Sequence, residues 1–559
     1  MAEFALMQVF EAVADVVPSR PAVVWRSRST SFAELSARAA GLASFLRGHG
    51  IGATGPLEAG PQWVSPQDHV AILARNRPEW IEAMLGCYRA RAIPFNVNYR
   101  YTAAELAEVL RVGRPRAVIF EATYAPLMEQ VADELPLDML LVQLADETDT
   151  GNTGRVRGVH DYEAAVATVA DSLPGCQPDD RYLLLTGGTT GRPKGVLWRQ
   201  ADIYAAALQG FRKRGTAEFG SLAEIVQRAH GPSSTLFPAP PMMHGSAQWA
   251  ALATVLAGQT VVLSDTNSRF DATEMVELVE RWDVRQLVIG GDAFARPIIE
   301  ALAGQRGRMP GLQTITTGAV ALTTSAEREL RALLPHVTVF DAAGASETGP
   351  QMRRRGDSDG ARPATFTPGV GACVLSEDRS APLPQNSTET GWLARSGRVP
   401  LGYLDEPDLT AQTFPVRDGV RYAVPGDRAR YVGDGGIELL GRDAVVINTG
   451  GEKVFAEEVE EAVCGHPSVY DAIVVGCPHE RWGKEVVAVV ALRRAAEVSE
   501  DELRAFVGER LARYKVPKRV VTVDAVVRSV AGKPDYRWAL ERAQIGVGQS
   551  NEPKSEEYA

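Results

Sequence analysis

An apolar run, Tyr182-Leu183-Leu184-Leu185, passes without a break into Thr186-Gly187-Gly188-Thr189-Thr190-Gly191-Arg192-Pro193-Lys194-Gly195. Glycines let a backbone fold so that successive N–H groups converge, hydroxyls add donors, and a lysine supplies charge. The combination describes a polyphosphate cradle carried at the end of a strand. It is not the Walker loop, which needs G-x-x-x-x-G-K-[ST]; here Pro193 precedes the lysine and Gly195 follows it. A second glycine cluster, Gly50-Ile51-Gly52-Ala53-Thr54-Gly55, fits G-x-G-x-x-G but follows a helical stretch from Phe32 to Leu46. It therefore reads as a helix end and loop, because a dinucleotide site needs a strand before its glycines.

The 559 residues exceed what one hydrophobic core normally serves, so two or more domains are expected. Helical patterns alternate with short apolar runs, His69-Val-Ala-Ile-Leu73, Arg116-Ala-Val-Ile-Phe120, Thr260-Val-Val-Leu263 and Gln286-Leu-Val-Ile-Gly290. Such alternation predicts an α/β fold, with a large N-terminal domain (1–441) of mixed and parallel sheets flanked by helices. Residues 206–235 lack a clean period and read as an inserted surface segment, and 375–390 as a loop. Near residue 441 the texture changes. Val445-Val446-Ile447, a Gly450-Gly451 turn, a helix from Glu457 to Val463, strands at 471–476 and 485–492, and a helix from Glu500 to Leu511 predict a small, mobile α+β domain over 442–545. The acidic run Glu457, Glu458, Glu460, Glu461 reads as a solvated helix face. Residues 546–559 read as a polar, disordered tail.

Hydrophobic residues at 45% and charged residues at 23% describe a folded chain. A net charge of -11 with no long basic run argues against gripping nucleic acid or anionic lipid, so any anion is bound locally. Cys87, Cys176, Cys373, Cys464 and Cys477 form no C-x-x-C pair, which fits free thiols in a reducing compartment. The N-terminus lacks a basic signal region, and no run approaches the roughly 18 apolar residues of a membrane span. A cytoplasmic protein is expected; a homodimer is allowed but not required. None of the eight histidines stands in a zinc-binding spacing.

Further stations follow the cradle in order. They are Phe237-Pro-Ala-Pro-Pro-Met-Met-His244-Gly245, Thr317-Gly318, Val339-Phe-Asp341-Ala-Ala-Gly344-Ala-Ser346-Glu347-Thr348-Gly349, Tyr422-Ala-Val-Pro-Gly426-Asp427, Gly441-Arg442, Gly450-Gly451-Glu452-Lys453-Val454 and Arg528-Ser-Val-Ala-Gly532-Lys533-Pro534. With them the chain, from about residue 10 to 545, resembles the adenylate-forming superfamily of acyl-CoA synthetases, luciferases and peptide-synthetase adenylation domains. The resemblance implies that Thr186, Gly187, Gly188, Thr189, Thr190, Gly191 and Lys194 hold the phosphates of ATP. His244 would stand by the acyl group and the adenylate. Gly318, Asp341, Gly344 and Ser346 would meet the nucleotide, and Glu347 would bind Mg2+, which lowers the repulsion between phosphates and an incoming carboxylate. Asp427 would take the ribose diol, Arg442 the ribose or phosphate at the domain junction, and Gly450 and Gly451 the pantetheine arm of CoA. Lys533 would be the mobile catalytic lysine, bridging carboxylate and α-phosphate.

The resemblance implies a two-step ligase: carboxylic acid and ATP give acyl-AMP and pyrophosphate, and rotation of the small domain about 442–444 then allows acyl transfer to CoA. Three departures stand out: Thr317-Gly-Ala-Val-Ala-Leu322 lacks the paired glycines and proline of many relatives, Ala343 replaces a bulkier residue, and Ala444 occupies the usual hinge position. The wording of Ile447-Asn-Thr-Gly-Gly-Glu-Lys-Val454 and Pro400-Leu-Gly-Tyr403 is similar to bacterial synthetases for steroid side chains and other bulky acids, and Ala343, Ala345 and Gly349 would suit a roomy pocket. Two alternatives stay open. One is an adenylating enzyme with another acceptor, such as a diazotase that adenylates nitrite for an aromatic amine. The other is a catalytically silent nucleotide-binding paralogue.

Overall fold

The computed structural model describes residues 2–548 except 54, 56, 58–59, 137, 146–155, 157, 170–171, 187–192, 211–216, 267–268, 306, 319, 357–364, 434, 443–444, 450–451, 480–482 and 530–531. The cradle glycines and threonines from Gly187 to Gly191, the turn Gly450-Gly451 and the hinge position Ala444 lie outside the described residues.

The apolar runs become strands. His69–Leu73 lies between Ile93–Asn96 and Pro115–Glu121 in a five-stranded parallel sheet, and every residue of His69–Leu73 is buried. Thr260–Leu263, Thr235–Pro238, Gln286–Ile289, Thr314–Gly318 and Thr338–Ala345 pair in parallel within a second, larger sheet. Parallel strands covered on both faces carry continuous apolar sequence, which is why these runs were readable. The larger sheet turns antiparallel at the hairpin from Thr338–Ala345 to Gly349–Arg355, giving the mixed character expected. A third sheet pairs Arg181–Thr186 with Lys194–Arg199 and then Gly402–Tyr403, all antiparallel.

Gly436–Arg442 is the last strand of the large sheet. The small domain follows: Val446–Thr449, Val469–His479 and Gly483–Leu492 match the predicted strands, and Glu452–Phe455 and Arg519–Val523 complete their sheet. The helices Ala456–Cys464 and Glu500–Gly508 pack on it through Val459, Val463, Leu503 and Val507. A third helix, Tyr536–Gly548, takes in residues 546–548 that were expected to be tail; 549–559 lie outside the described residues.

Two expectations are corrected. Residues 206–235 contain the helix Leu222–Ala229, capped by Ser221, whose Ile225 and Ala229 are buried in the same core as Leu6 and Val9. Two helical turns with one buried pair are too short for a period to show. The acidic run is only in part a solvated face: Glu461 is exposed and the Glu458 side chain is 38% exposed, but the four carboxylates have different settings. Glu458 takes Lys515 at 2.7 Å, Glu460 accepts from the Val474 N–H at 2.9 Å, and Glu461 accepts from Thr324 Oγ1 at 2.6 Å. Glu457 faces Gly441, where a Cβ would stand 2.5 Å from its Oε2. Burial pushes the Glu460 carboxyl up to about 8, against the opposing hydrogen bond from Val474.

The two domains touch. Besides Thr324 and Glu461, Arg493 reaches Glu329 at 3.2 Å, and the Arg296 guanidinium lies 5.0 Å from the Tyr470 ring centroid. Gly532, in the left-handed region at φ +79, sits so close to the large domain that a Cβ would be 2.2 Å from the Gly290 carbonyl oxygen.

Candidate active site

The strands that flank the cradle are an antiparallel pair, with Thr186 opposite Lys194 and Leu185 opposite Gly195. Both ends are anchored by burial: Leu183, Leu184, Val196 and Leu197 are fully enclosed. Lys194 Nζ lies 5.7 Å from the centroid of the Tyr403 ring, within reach of cation–π attraction. The Tyr403 hydroxyl in turn donates to Glu347 Oε1 at 2.6 Å. Lys194, Tyr403 and Glu347 thus form one continuous group drawn from three strands or turns. Tyr403 was not singled out by its sequence position. Its place is set by the pairing of Gly402–Tyr403 with Lys194–Arg199, and only the buried aromatic after a strand glycine hinted at it.

Glu347 occupies the turn of the hairpin between Thr338–Ala345 and Gly349–Arg355. The neighbouring Ser346 carbonyl accepts from Trp198 Nε1 at 3.1 Å, which ties this turn to the cradle strand. Thr348 closes the turn, its Oγ1 accepting from the Ala345 N–H at 2.9 Å. Gly344 is required by the hairpin itself, since a Cβ there would be 2.2 Å from the Gly349 carbonyl oxygen. Asp341 lies deeper: only 3% exposed, it is ion-paired with Arg354 on the opposing strand. Burial raises its pKa while Arg354 opposes the rise. The structure therefore places Asp341 in the wall behind the site and not among the groups that face the cleft.

His244 is the N-cap residue of the helix Gly245–Leu256. Its Nε2 is buried without a hydrogen-bond partner among the described residues. Burial, then the positive charges of Lys533 and Arg100, push the imidazole down to about 4, so it is neutral at physiological pH. Gly318 ends its strand opposite this helix start, a Cβ there meeting Ser246 Cβ at 3.5 Å.

Lys533 is exposed in a tight turn in which the Ser529 N–H donates to the Lys533 carbonyl at 2.8 Å and the Lys533 N–H to Ser529 Oγ at 3.2 Å. Arg528 braces the turn, donating to the Gly532 carbonyl at 3.2 Å while holding Asp471 through two bonds of 2.7 and 2.8 Å. The close approach of Gly532 to Gly290 and the charge of Lys533 felt at His244 set this turn against the large domain. Asp427 and Arg442 stand opposite each other in the register of two antiparallel strands, so two stations 15 positions apart in sequence are neighbours in the backbone. Gly349, expected to widen a pocket, is instead buried against the Ala206 carbonyl and Arg395 at φ +65.

The described residues thus give a cation and a carboxylate joined through Tyr403, a neutral imidazole, and a second cation on the small domain whose charge acts on that imidazole. Such a set suits a reaction in which phosphate charge is shielded while a carboxylate is brought to phosphorus.

The chain is similar to the medium-chain acyl-CoA ligase Mig of Mycobacterium avium, 44% identical over 546 residues, covering 97% of this chain and 99% of the relative. It is 37% identical to the 3-oxocholest-4-en-26-oate–CoA ligase of Rhodococcus rhodochrous, over 98% of this chain and 97% of the relative. The fold matches the crystal structure of the anthranilate CoA ligase AuaEII in complex with anthranoyl-AMP at a TM-score of 0.81 and 19% identity, with 98% of both chains covered. ATP-bound MatB from Rhodopseudomonas palustris matches at 0.77 and 23%, over 95% of this chain and 98% of the other. Among the described residues no helix is long and apolar enough to cross a membrane. The family model for the C-terminal domain of AMP-binding enzymes matches residues 458–533 and the AMP-binding enzyme model itself residues 10–404; this chain belongs to the AMP-binding enzyme family.

Proposed function

We propose that this protein is an ATP-dependent acyl-CoA synthetase: it joins a carboxylic acid to ATP as acyl-AMP, releasing pyrophosphate, and transfers the acyl group to CoA. The observation that carries the reading is the grouping of Lys194, Tyr403 and Glu347, supported by the Lys533 charge of the small domain acting on His244.

In this reading Thr186 and Lys194 begin and end the cradle for the β and γ phosphates, with Gly187, Gly188, Thr189, Thr190 and Gly191 between them. Glu347 fits a hard divalent cation: Tyr403 takes up one lone pair of Oε1, and the carboxylate keeps others for a metal. Bound Mg2+ would supply charge neutralisation across the phosphates. Neutral His244 can donate a hydrogen bond to the acid or its ester without adding fixed charge. Lys533 stabilises charge as the carboxylate oxygen forms its bond to the α-phosphorus and the bond to pyrophosphate breaks. Asp427 takes the ribose diol, and Arg442, beside it, the ribose or phosphate. For the second step the small domain turns about 442–444, withdrawing Lys533 and bringing Gly450 and Gly451 to the pantetheine arm. The acids are of the medium-chain or bulky side-chain kind, as the names of the relatives suggest.

The test is product mass spectrometry with ATP, magnesium, CoA and a pool of fatty, aromatic and steroid-side-chain acids, beside a reaction containing nitrite and an arylamine. An acyl-CoA product is expected. AMP released only with nitrite, together with a diazo product, would overturn the choice of acceptor. ATP binding without pyrophosphate release from any acid would overturn the enzyme reading.

A further inference from the structure

Two asparagines outside the motifs hold the backbone of the segments that carry Thr186 and His244. Asn96 ends the strand Ile93–Asn96 and is 6% exposed; Asn76 follows the neighbouring parallel strand His69–Leu73. Both therefore leave the carboxyl ends of adjacent strands, the edge where α/β sheets present functional groups.

Asn96 Nδ2 donates to the Leu185 carbonyl at 2.9 Å, and its Oδ1 accepts from the Leu185 N–H at 3.0 Å. The side-chain amide meets Leu185 as a neighbouring strand would, on the edge of Arg181–Thr186 that pairs with no strand among the described residues. Its second N–H donates to the Met243 carbonyl at 2.7 Å. Asn76 repeats the pattern on the turn before His244, donating to the Pro240 carbonyl at 3.1 Å and accepting from the Met242 N–H at 2.6 Å. Two carbonyls and one N–H around Asn96 need two donors and one acceptor, which an amide supplies and a carboxylate or an alkyl group does not.

We propose that Asn96 and Asn76 are positioning residues, a two-amide clasp that sets the spacing between the start of the phosphate cradle at Thr186 and the acyl-facing His244. The inference rests on the proposed roles of those two shores. Asn96 touches both shores, whereas Asn76 touches only the His244 turn. The clasp fixes the distance over which an acid held beside His244 must reach a phosphate held at Thr186 and Lys194.

The division of contacts makes the test specific. Full-length Asn76→Ala is expected to raise KM for the carboxylic acid about tenfold with KM for ATP unchanged. Asn96→Asp, which sets an oxygen against two carbonyls, is expected to raise both KM values and lower the rate of pyrophosphate release by roughly 10- to 100-fold, as expected for a misplacement near 1 Å. That loss should shrink as pH falls, because protonating the introduced carboxyl restores a donor. Near-UV circular dichroism checks that each variant is folded, and Asn76→Ala decides alone if Asn96→Asp does not fold. Wild-type KM values in folded variants would overturn the clasp. So would equal changes in both KM values for Asn76→Ala, which mark a merely structural loss. A wild-type enzyme that forms acyl-adenylate normally beside unaffected variants sinks the clasp alone; a wild type that forms none from any acid overturns the functional reading beneath it.

Discussion

The His244 ring should resist protonation through most of the acid range. Its setting pushes the imidazole from 6.5 to about 4, through burial first and then the charges of Lys533 and Arg100. The gap corresponds to at most about 3 kcal/mol in favour of the neutral ring, and solvent reaching its half-buried edge brings this toward 1–2 kcal/mol. Because the folded value lies below the unfolded one, the unfolded chain takes up this proton first as pH falls. The group therefore adds no penalty above about 6.5, and one that grows as pH falls from there toward 4. Carbon-13 labelling of histidine with NMR detection follows the ring directly, and His244→Asn identifies the His244 signal by subtraction. The signal should keep its neutral shift from pH 8 to about 5. In Lys533→Ala the midpoint should move upward, since a positive neighbour has been removed. A His244 midpoint above pH 6, insensitive to Lys533, would refute both the burial and the proximity of the small domain's lysine.

Three further outcomes follow from the cleft. Lys533→Ala should slow pyrophosphate release roughly 10²- to 10³-fold, as for the loss of one electrostatic donor, while supplied acyl-AMP is still converted to thioester; equal losses in both half-reactions of a folded protein would contradict its role. Gly532→Ala adds a Cβ only 2.2 Å from the Gly290 carbonyl oxygen at a left-handed φ, so it should hinder docking and reproduce the same selective loss. Stopped-flow measurement of each half-reaction checks it. Tyr403→Phe removes a charge-assisted bond to Glu347 while keeping the ring beside Lys194, and the loss of about 1.5–3 kcal/mol should lower pyrophosphate release by roughly 10- to 150-fold. An unchanged rate across a magnesium titration would separate Tyr403 from the function of Glu347.

The candidate site residues could be named from the sequence because each stands in a local sequence with its own turn chemistry, and their order along the chain carries the family resemblance. The cradle's ends, the Glu347 turn, the cap position of His244 and the Lys533 turn all lie where such sequences form turns or caps. The clasp was hidden because its contacts are remote: Asn96 reaches residues 89 and 147 positions away. Its one local sign is a polar residue between Phe95 and Val97, two fully buried neighbours. Asp341 misled for the opposite reason. It stands within a motif, but strand alternation turns it toward Arg354.

By itself the sequence determined the class of fold and supplied the candidate reactive groups, because burial pattern and turn residues are local properties. Only the tertiary structure decided which groups meet. The pairing of Gly402–Tyr403 with the cradle strand puts a hydroxyl on Glu347, and the domain contact at Gly532 lets the Lys533 charge act on His244. Packing also separated the glutamates of the acidic run, burying the Glu460 carboxyl against the Val474 N–H while Glu461 stays exposed. Distances of a few ångströms between segments far apart in sequence arise from packing and cross-strand pairing, which no local pattern encodes.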